Sequence, residues 1–151
     1  MLAVSIMAKF LLEELRIYKM AEDLADFIWE VVTSWEPFAK STVGHQLTRA
    51  ADSVGANIAE GYGRASPVDN QRFVRIARGS LYEVRHFLRR ADKRGLLVNG
   101  QKQPLQAVLN ELLPALNAYL RSLGKGRSVI SSPTTNYQLP NTNRYPRRNT
   151  R

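Results

Sequence analysis

Arg75, Arg78, Tyr82, Arg85 and Arg89 follow one another at spacings of three, four, three and four, the alternation that keeps side chains in one row along a helix. Arg72 and Lys93 extend the row at its two ends. A guanidinium presents forked donors that match phosphate, and a tyrosine set among guanidiniums offers a ring on which an exposed base can stack. These seven residues are therefore the candidate nucleic-acid contacts. Like charges three and four residues apart repel, so the row costs stability unless something negative faces it. A protein partner could supply that charge, and so could the chain itself. Between Glu13 and Glu36 lie Glu13, Glu14, Glu22, Asp23, Asp26, Glu30 and Glu36 against only Arg16 and Lys19. An acidic segment of this kind could neutralise the basic row, within a subunit or across an interface.

Other chemistry is sparse. The absence of cysteine excludes disulfides, thiolate metal sites and a cysteine nucleophile. Histidine occurs only at His45 and His86, without the His-x-x-x-His or Glu-x-x-His pairing that puts two ligands on one helix face. No glycine-rich phosphate loop or nucleophile elbow is present. We expect no metal, no cofactor and no catalytic residue. Asn57 and Glu60 read as caps or hydrogen-bond partners that hold the following loop to Arg64.

Four amphipathic segments must carry the row. In the first, from about Leu12 to Trp35, Ile17, Ala21, Leu24, Ile28, Val31 and Trp35 alternate at four and three, and Pro37 is expected to end it. Ser41 or Thr42 is expected to cap the second, whose apolar face is Val43, Leu47, Ala50, Val54 and Ile58, with Gly61 and Gly63 stopping it in left-handed conformation. Ala51, Gly55, Ala59 and Gly63 recur every four residues along one edge of this segment, a strip for close packing inside the chain or between subunits. The third opens with Ser66 as N-cap, Pro67 at the first position and Asp69 as a capping-box acid. Its core face runs Phe73, Ala77, Ser80 or Leu81, Val84, Leu88 and Ala91, and Gly95 closes it. The fourth is expected to begin near Pro104 and to run through Leu105, Leu109, Leu112, Leu116, Tyr119 and Leu123 to Gly124. Pro114 in its interior predicts a kink or a break into two shorter helices. With no alternating strand pattern and short connections, the simplest architecture is all-α, an antiparallel up-down-up-down four-helix bundle.

The chain has 151 residues, enough for one domain, and 44% of them are hydrophobic. We divide it into an N-terminal leader at 1–11, partly disordered, the bundle at 12–124, and a basic, polar, disordered tail at 125–151. Lys125, Arg127, Arg144, Arg147, Arg148 and Arg151 stand in the tail without an acid, so most of the net charge of +9 belongs there. The leader is apolar but lacks a basic start and is interrupted by Lys9, which argues against a signal peptide or membrane span. A cytoplasmic protein without membrane association is the expectation.

The run Gln46-Leu47-Thr48-Arg49-Ala50-Ala51-Asp52-Ser53-Val54-Gly55-Ala56-Asn57-Ile58-Ala59-Glu60-Gly61-Tyr62-Gly63-Arg64, followed by Phe73-Val74-Arg75-Ile76-Ala77-Arg78-Gly79-Ser80-Leu81-Tyr82-Glu83, resembles the bacterial four-helix-bundle proteins named for 23S rRNA intervening sequences. Leu15-Arg16-Ile17-Tyr18-Lys19-Met20-Ala21 is similar to that family's first helix. The resemblance covers about residues 12–123 and implies a bundle that assembles into a ring-like homopentamer. More distant relatives include accessory proteins of diversity-generating retroelements, which bind a reverse transcriptase and nucleic acid through basic surfaces. Carried over, this makes Arg72, Arg75, Arg78, Arg85 and Arg89 candidate RNA contacts. It also offers an alternative function, a protein-interaction scaffold such as an accessory subunit of a retroelement reverse transcriptase. The leader, the tail and Pro114 depart from the family's pattern.

Overall fold

The structure, a computed structural model, describes residues 12–125. The leader at 1–11 and all but the first residue of the tail lie outside the described residues. Among the described residues the protein is all-α, with no strand. After a helical turn at residues 12–14 come four long helices: α1, Arg16–Thr33; α2, residues 37–63; α3, Pro67–Lys93; and α4, Asn99–Gly124.

Each helix buries the stripe that its apolar spacing marks. Met20, Leu24 and Ile28 from α1, Leu47, Val54 and Ile58 from α2, Val74, Leu81 and Val84 from α3, and Val108, Leu112 and Leu116 from α4 are sealed from solvent. Phe73, expected in the core, is only half-buried, and Val74 takes its place. α1 packs against α2 and α4, and α3 packs against the same two, so α1 and α3 lie on a diagonal. Consecutive helices run antiparallel. The start of α1 at Tyr18 and Ala21 meets Gly55 of α2, while its end at Val32 meets Gly44. Likewise, Gly61 late in α2 meets Asn70 early in α3, and Asn70 bonds Tyr119 late in α4.

Several helix ends differ from expectation. α1 stops at Thr33, where the Thr33 and Ser34 hydroxyls donate to the Glu30 and Val31 carbonyls (2.9 and 2.6 Å); Trp35 is still buried beyond it. Pro37 then starts α2 rather than merely ending α1, because its missing amide is free at a first helical position. Ser41 and Thr42 are not caps. They lie in a π-helical turn, Lys40–Gly44, inside α2, and their hydroxyls donate back to the Phe38 carbonyl at 3.1 and 2.7 Å. Gly61 and Gly63 do not enter left-handed conformation either; Gly95 alone has positive φ among the described residues, at 70°. The third helix starts as read, with the Ser66 hydroxyl accepting from the Asp69 amide at 3.4 Å. It closes at Gly95 with the Leu96 amide donating to the Ala91 carbonyl (2.9 Å) and the Gly95 amide to that of Asp92 (3.0 Å), a Schellman closure.

α4 begins at Asn99, not near Pro104. The Gln101 side chain accepts from the Val98 amide at 3.1 Å and fixes this earlier start. Pro104 and Pro114 both lie within the helix, which is continuous. The carbonyls they deprive of a donor belong to Gly100 and Asn110, both exposed, so water can satisfy them. No break occurs at Pro114.

Gly61 is required by close approach. A Cβ there would meet Asn70 Oδ1 at 2.8 Å and the Cβ of Phe73 at 2.9 Å, and the second atom is fixed to the α3 backbone. Gly79 has nothing within 4 Å of a Cβ. Gly61→Ala is therefore expected to destabilise the fold by about 1–3 kcal/mol through overpacking. Gly79→Ala should stabilise it by about 1 kcal/mol through helix propensity. Urea unfolding of the two variants checks both signs.

Candidate nucleic-acid interface

The basic row is carried by α3, which is 27 residues long. Its register follows from the core: with Val74, Ala77, Leu81, Val84, Leu88 and Ala91 turned inward, Arg75, Tyr82, Arg85 and Arg89 must emerge on the outer surface. Arg72, Arg75, Arg85, Arg89 and Lys93 are exposed, and the Tyr82 ring is 54% exposed. Arg78 is the exception. It is half-buried, and one terminal nitrogen donates to Asn117 Oδ1 on α4 at 2.9 Å. Part of its donor set is thus committed to tying α3 to α4.

Aromatic rings hold two other members. The Arg85 guanidinium lies 5.6 Å from the centre of the Tyr82 ring. Phe73 is flanked by Arg64 at 5.3 Å and Arg72 at 5.7 Å, which places Arg72 towards the α2 end of the row. Such contacts orient a guanidinium without consuming its hydrogen-bond donors.

Between the C-terminal half of α3 and the start of α4 runs an open groove of about 560 Å3. Tyr82, Arg85, His86 and Arg89 form one wall, and Lys102 and Gln106 the other. Leu88, Leu97, Leu105 and Leu109, core residues with a little surface left, make the floor. His86 packs edge-on against Phe87, with centroids 5.1 Å apart. Lys102 and Gln106 do not belong to the row that spacing picks out. The position of Lys102 depends on the Asn99 start of α4, which turns it from a loop residue into a helical one facing α3. Asp92 pairs with Lys102 at 2.6 Å and closes one end of the groove.

The row is not neutralised by the acidic helix of the same chain. The ion pairs among the described residues include Arg16–Glu111 (3.0 Å), Arg64–Glu60 (2.6 Å) and Lys102–Asp92, none of which joins α1 to α3. The acids sit on the far side, because α1 and α3 are diagonal. Glu22, Asp26 and Asp52 line a smaller cleft of about 260 Å3 between α1 and α2, together with Tyr18 and the small residues Ala51, Gly55 and Ala56. At Gly55 the small-residue strip serves packing within the chain, since a Cβ there would lie 3.8 Å from that of Ala21. Asn57 donates to the Ser53 carbonyl at 2.7 Å, and Glu60 holds Arg64, as expected of structural residues. His45 is exposed on α2 and distant in sequence from the groove. No group of histidines and acids able to hold a metal occurs among the described residues, and no helix there is long and apolar enough to cross a membrane.

Burial, and then the charge of Asp26, raise the pKa of Asp52; the same two causes raise that of Glu30. A carboxyl with a raised pKa binds its proton more tightly in the folded state. Its contribution is most favourable below the ordinary carboxylate range and is lost as pH rises through the raised value. Asp52→Asn is therefore expected to raise the thermal unfolding midpoint at neutral pH. That advantage should shrink at acid pH, as Asp52 takes up its proton. Thermal melts at the two pH values check this.

No curated protein matches the chain. A model of the family described as 23S rRNA-intervening sequence protein matches residues 13–118. The matched span contains both charged faces and the helices that separate them. On that match the chain belongs to the 23S rRNA-intervening sequence protein family.

Proposed function

We propose that this protein is a non-catalytic, cytoplasmic, oligomeric bundle that binds RNA or structured nucleic acid through the basic face of α3. The observation that carries the reading is the uncompensated row: Arg72, Arg75, Arg85, Arg89 and Lys93 are exposed and form no ion pair among the described residues. A helix that tolerates such repulsion is suited to a polyanion, whose phosphates replace the missing counter-charge. The helix pairing supports an antiparallel up-down-up-down four-helix bundle. A ring-like homopentamer is the assembly that goes with the family resemblance. Exposed Trp29, Phe38 and Val98 (59%, 80% and 61% exposed) supply apolar surface that such an assembly would cover. Light scattering of the full chain should give a pentamer's mass; a monomer's mass refutes the ring.

A protein-interaction scaffold, such as an accessory subunit of a retroelement reverse transcriptase, is the second reading. Trp29 favours it, an exposed indole on the acidic helix α1 and away from the basic face.

Binding of the full chain to a structured RNA at low and near-physiological salt separates the readings. Affinity should fall steeply with salt, and each arginine removed from the row should reduce the log–log slope by about 1. Arg75→Glu with Arg85→Glu should abolish binding, whereas Arg147→Gln with Arg148→Gln in the tail should retain most of it. If the tail variant alone loses RNA, the helical row is not the site. If the helix variant loses a co-purifying protein while RNA affinity is unchanged, the scaffold reading holds.

A further inference from the structure

The α3–α4 groove has a feature that a phosphate-binding row does not need. Leucine floors it, from Leu88 and Leu97 to Leu105 and Leu109, beneath a cationic rim. Phosphates bound along a helix would touch the rim alone. We propose that this groove is a subsite for one unpaired nucleobase and its flanking phosphate, so that the protein prefers single-stranded or bulged RNA to duplex. The proposal rests on the RNA-binding reading above and adds what the site recognises.

Three properties point to a base. Its volume of about 560 Å3 lies within the range of small-ligand sites. Tyr82 stands at the groove wall with more than half of its surface free, and Arg85 already lies over its ring at 5.6 Å. A flat aromatic heterocycle can join that stack, and its other atoms can rest on the leucines. Gln106 supplies a polar edge: its amide nitrogen donates to Asn110 Oδ1 at 2.7 Å, so its carbonyl oxygen remains to accept from a base amino group.

Charge selects the rest of the occupant. Arg85 and Arg89 form no ion pair among the described residues and flank the wall where a phosphate on either side of the base would lie. Lys102 is held by Asp92, so the cation available to a ligand is concentrated on the α3 side. An acidic peptide would satisfy the arginines but offers a flat π-face only where it carries an aromatic side chain, whereas every nucleobase has one. A duplex would satisfy them too, but its bases are stacked and paired, and extruding one costs a few kcal/mol.

The test compares the full chain with a short single-stranded RNA and with the same sequence annealed as a blunt duplex, at low salt, with inorganic polyphosphate as competitor. The single strand is expected to bind more tightly than the duplex. Tyr82→Ala should weaken single-strand binding by about 5- to 150-fold, the range for losing one stacked base, and erase the preference over duplex. It should leave the salt slope unchanged, since no phosphate contact is removed. Tyr82→Phe should restore affinity, because the ring and not the hydroxyl carries the contact. Tyr82 is exposed, so circular dichroism of Tyr82→Ala should match the parent. Equal binding of duplex and single strand, or Tyr82→Ala without effect on a salt-sensitive complex, overturns the subsite and leaves the RNA-binding row standing. Displacement of the single strand by polyphosphate of equal charge at equal concentration also overturns it. Failure to bind any RNA at low salt overturns both.

Discussion

The approach of α2 to α3 at Gly61 determines where most of the remaining surface points. With no side chain on Gly61, the first two turns of α3 come within contact of the α2 backbone at Asn70 and Phe73. Asn70, almost wholly buried there, donates its amide to the Tyr119 hydroxyl of α4 at 3.1 Å. One glycine and one asparagine therefore join three helices at the end of the molecule where α3 begins. Burial raises the Tyr119 pKa, so the hydroxyl stays protonated through the physiological range. From this junction α3 runs 27 residues to Lys93, and the azimuth set at its first turn is inherited by every arginine along it.

The same geometry explains why the acidic and basic faces of the described helices do not cancel within a subunit. Neutralisation within a subunit would require α1 and α3 to be neighbours. They occupy opposite corners, with α2 and α4 between them. Asp26, Asp52 and Glu22 are crowded with each other at the α1–α2 cleft, and Arg75, Arg85 and Arg89 line up on α3. Repulsion within each cluster lowers stability, and the core of leucine, isoleucine and valine from all four helices offsets it.

Much of this was legible in the residues. The apolar spacings of α1, α2 and α4 mark residues that are in fact buried, except Leu123, which is half-buried, and the Arg75-to-Arg89 row lies on the helix face that its period implies. Boundaries were less legible, for identifiable reasons. Ser41 and Thr42 are good caps in isolation, but Pro37 starts the helix a turn earlier, and the hydroxyls turn back on it. Gly61 looks like a terminator because glycine usually is one there; only the packed α3 backbone reveals its other use. Pro104 suggested a helix start, whereas Gln101 capping Val98 sets the start at Asn99. That shift also hid Lys102, and neither it nor Gln106 could be read from the row, since a groove wall on a second helix leaves no periodic trace in the first.

Separation of the charges onto opposite sides has a kinetic meaning. A body that is positive on one side and negative on the other carries a dipole moment, and a polyanion's field exerts a torque on it before contact. On the RNA-binding reading proposed above, encounters with a single subunit would be biased towards its α3 face, so fewer collisions would be lost to wrong orientations and association would be faster at low ionic strength. The acidic α1–α2 side, meanwhile, repels a second strand. A nucleic acid captured on one subunit would lie along its α3 face rather than wrap around that subunit.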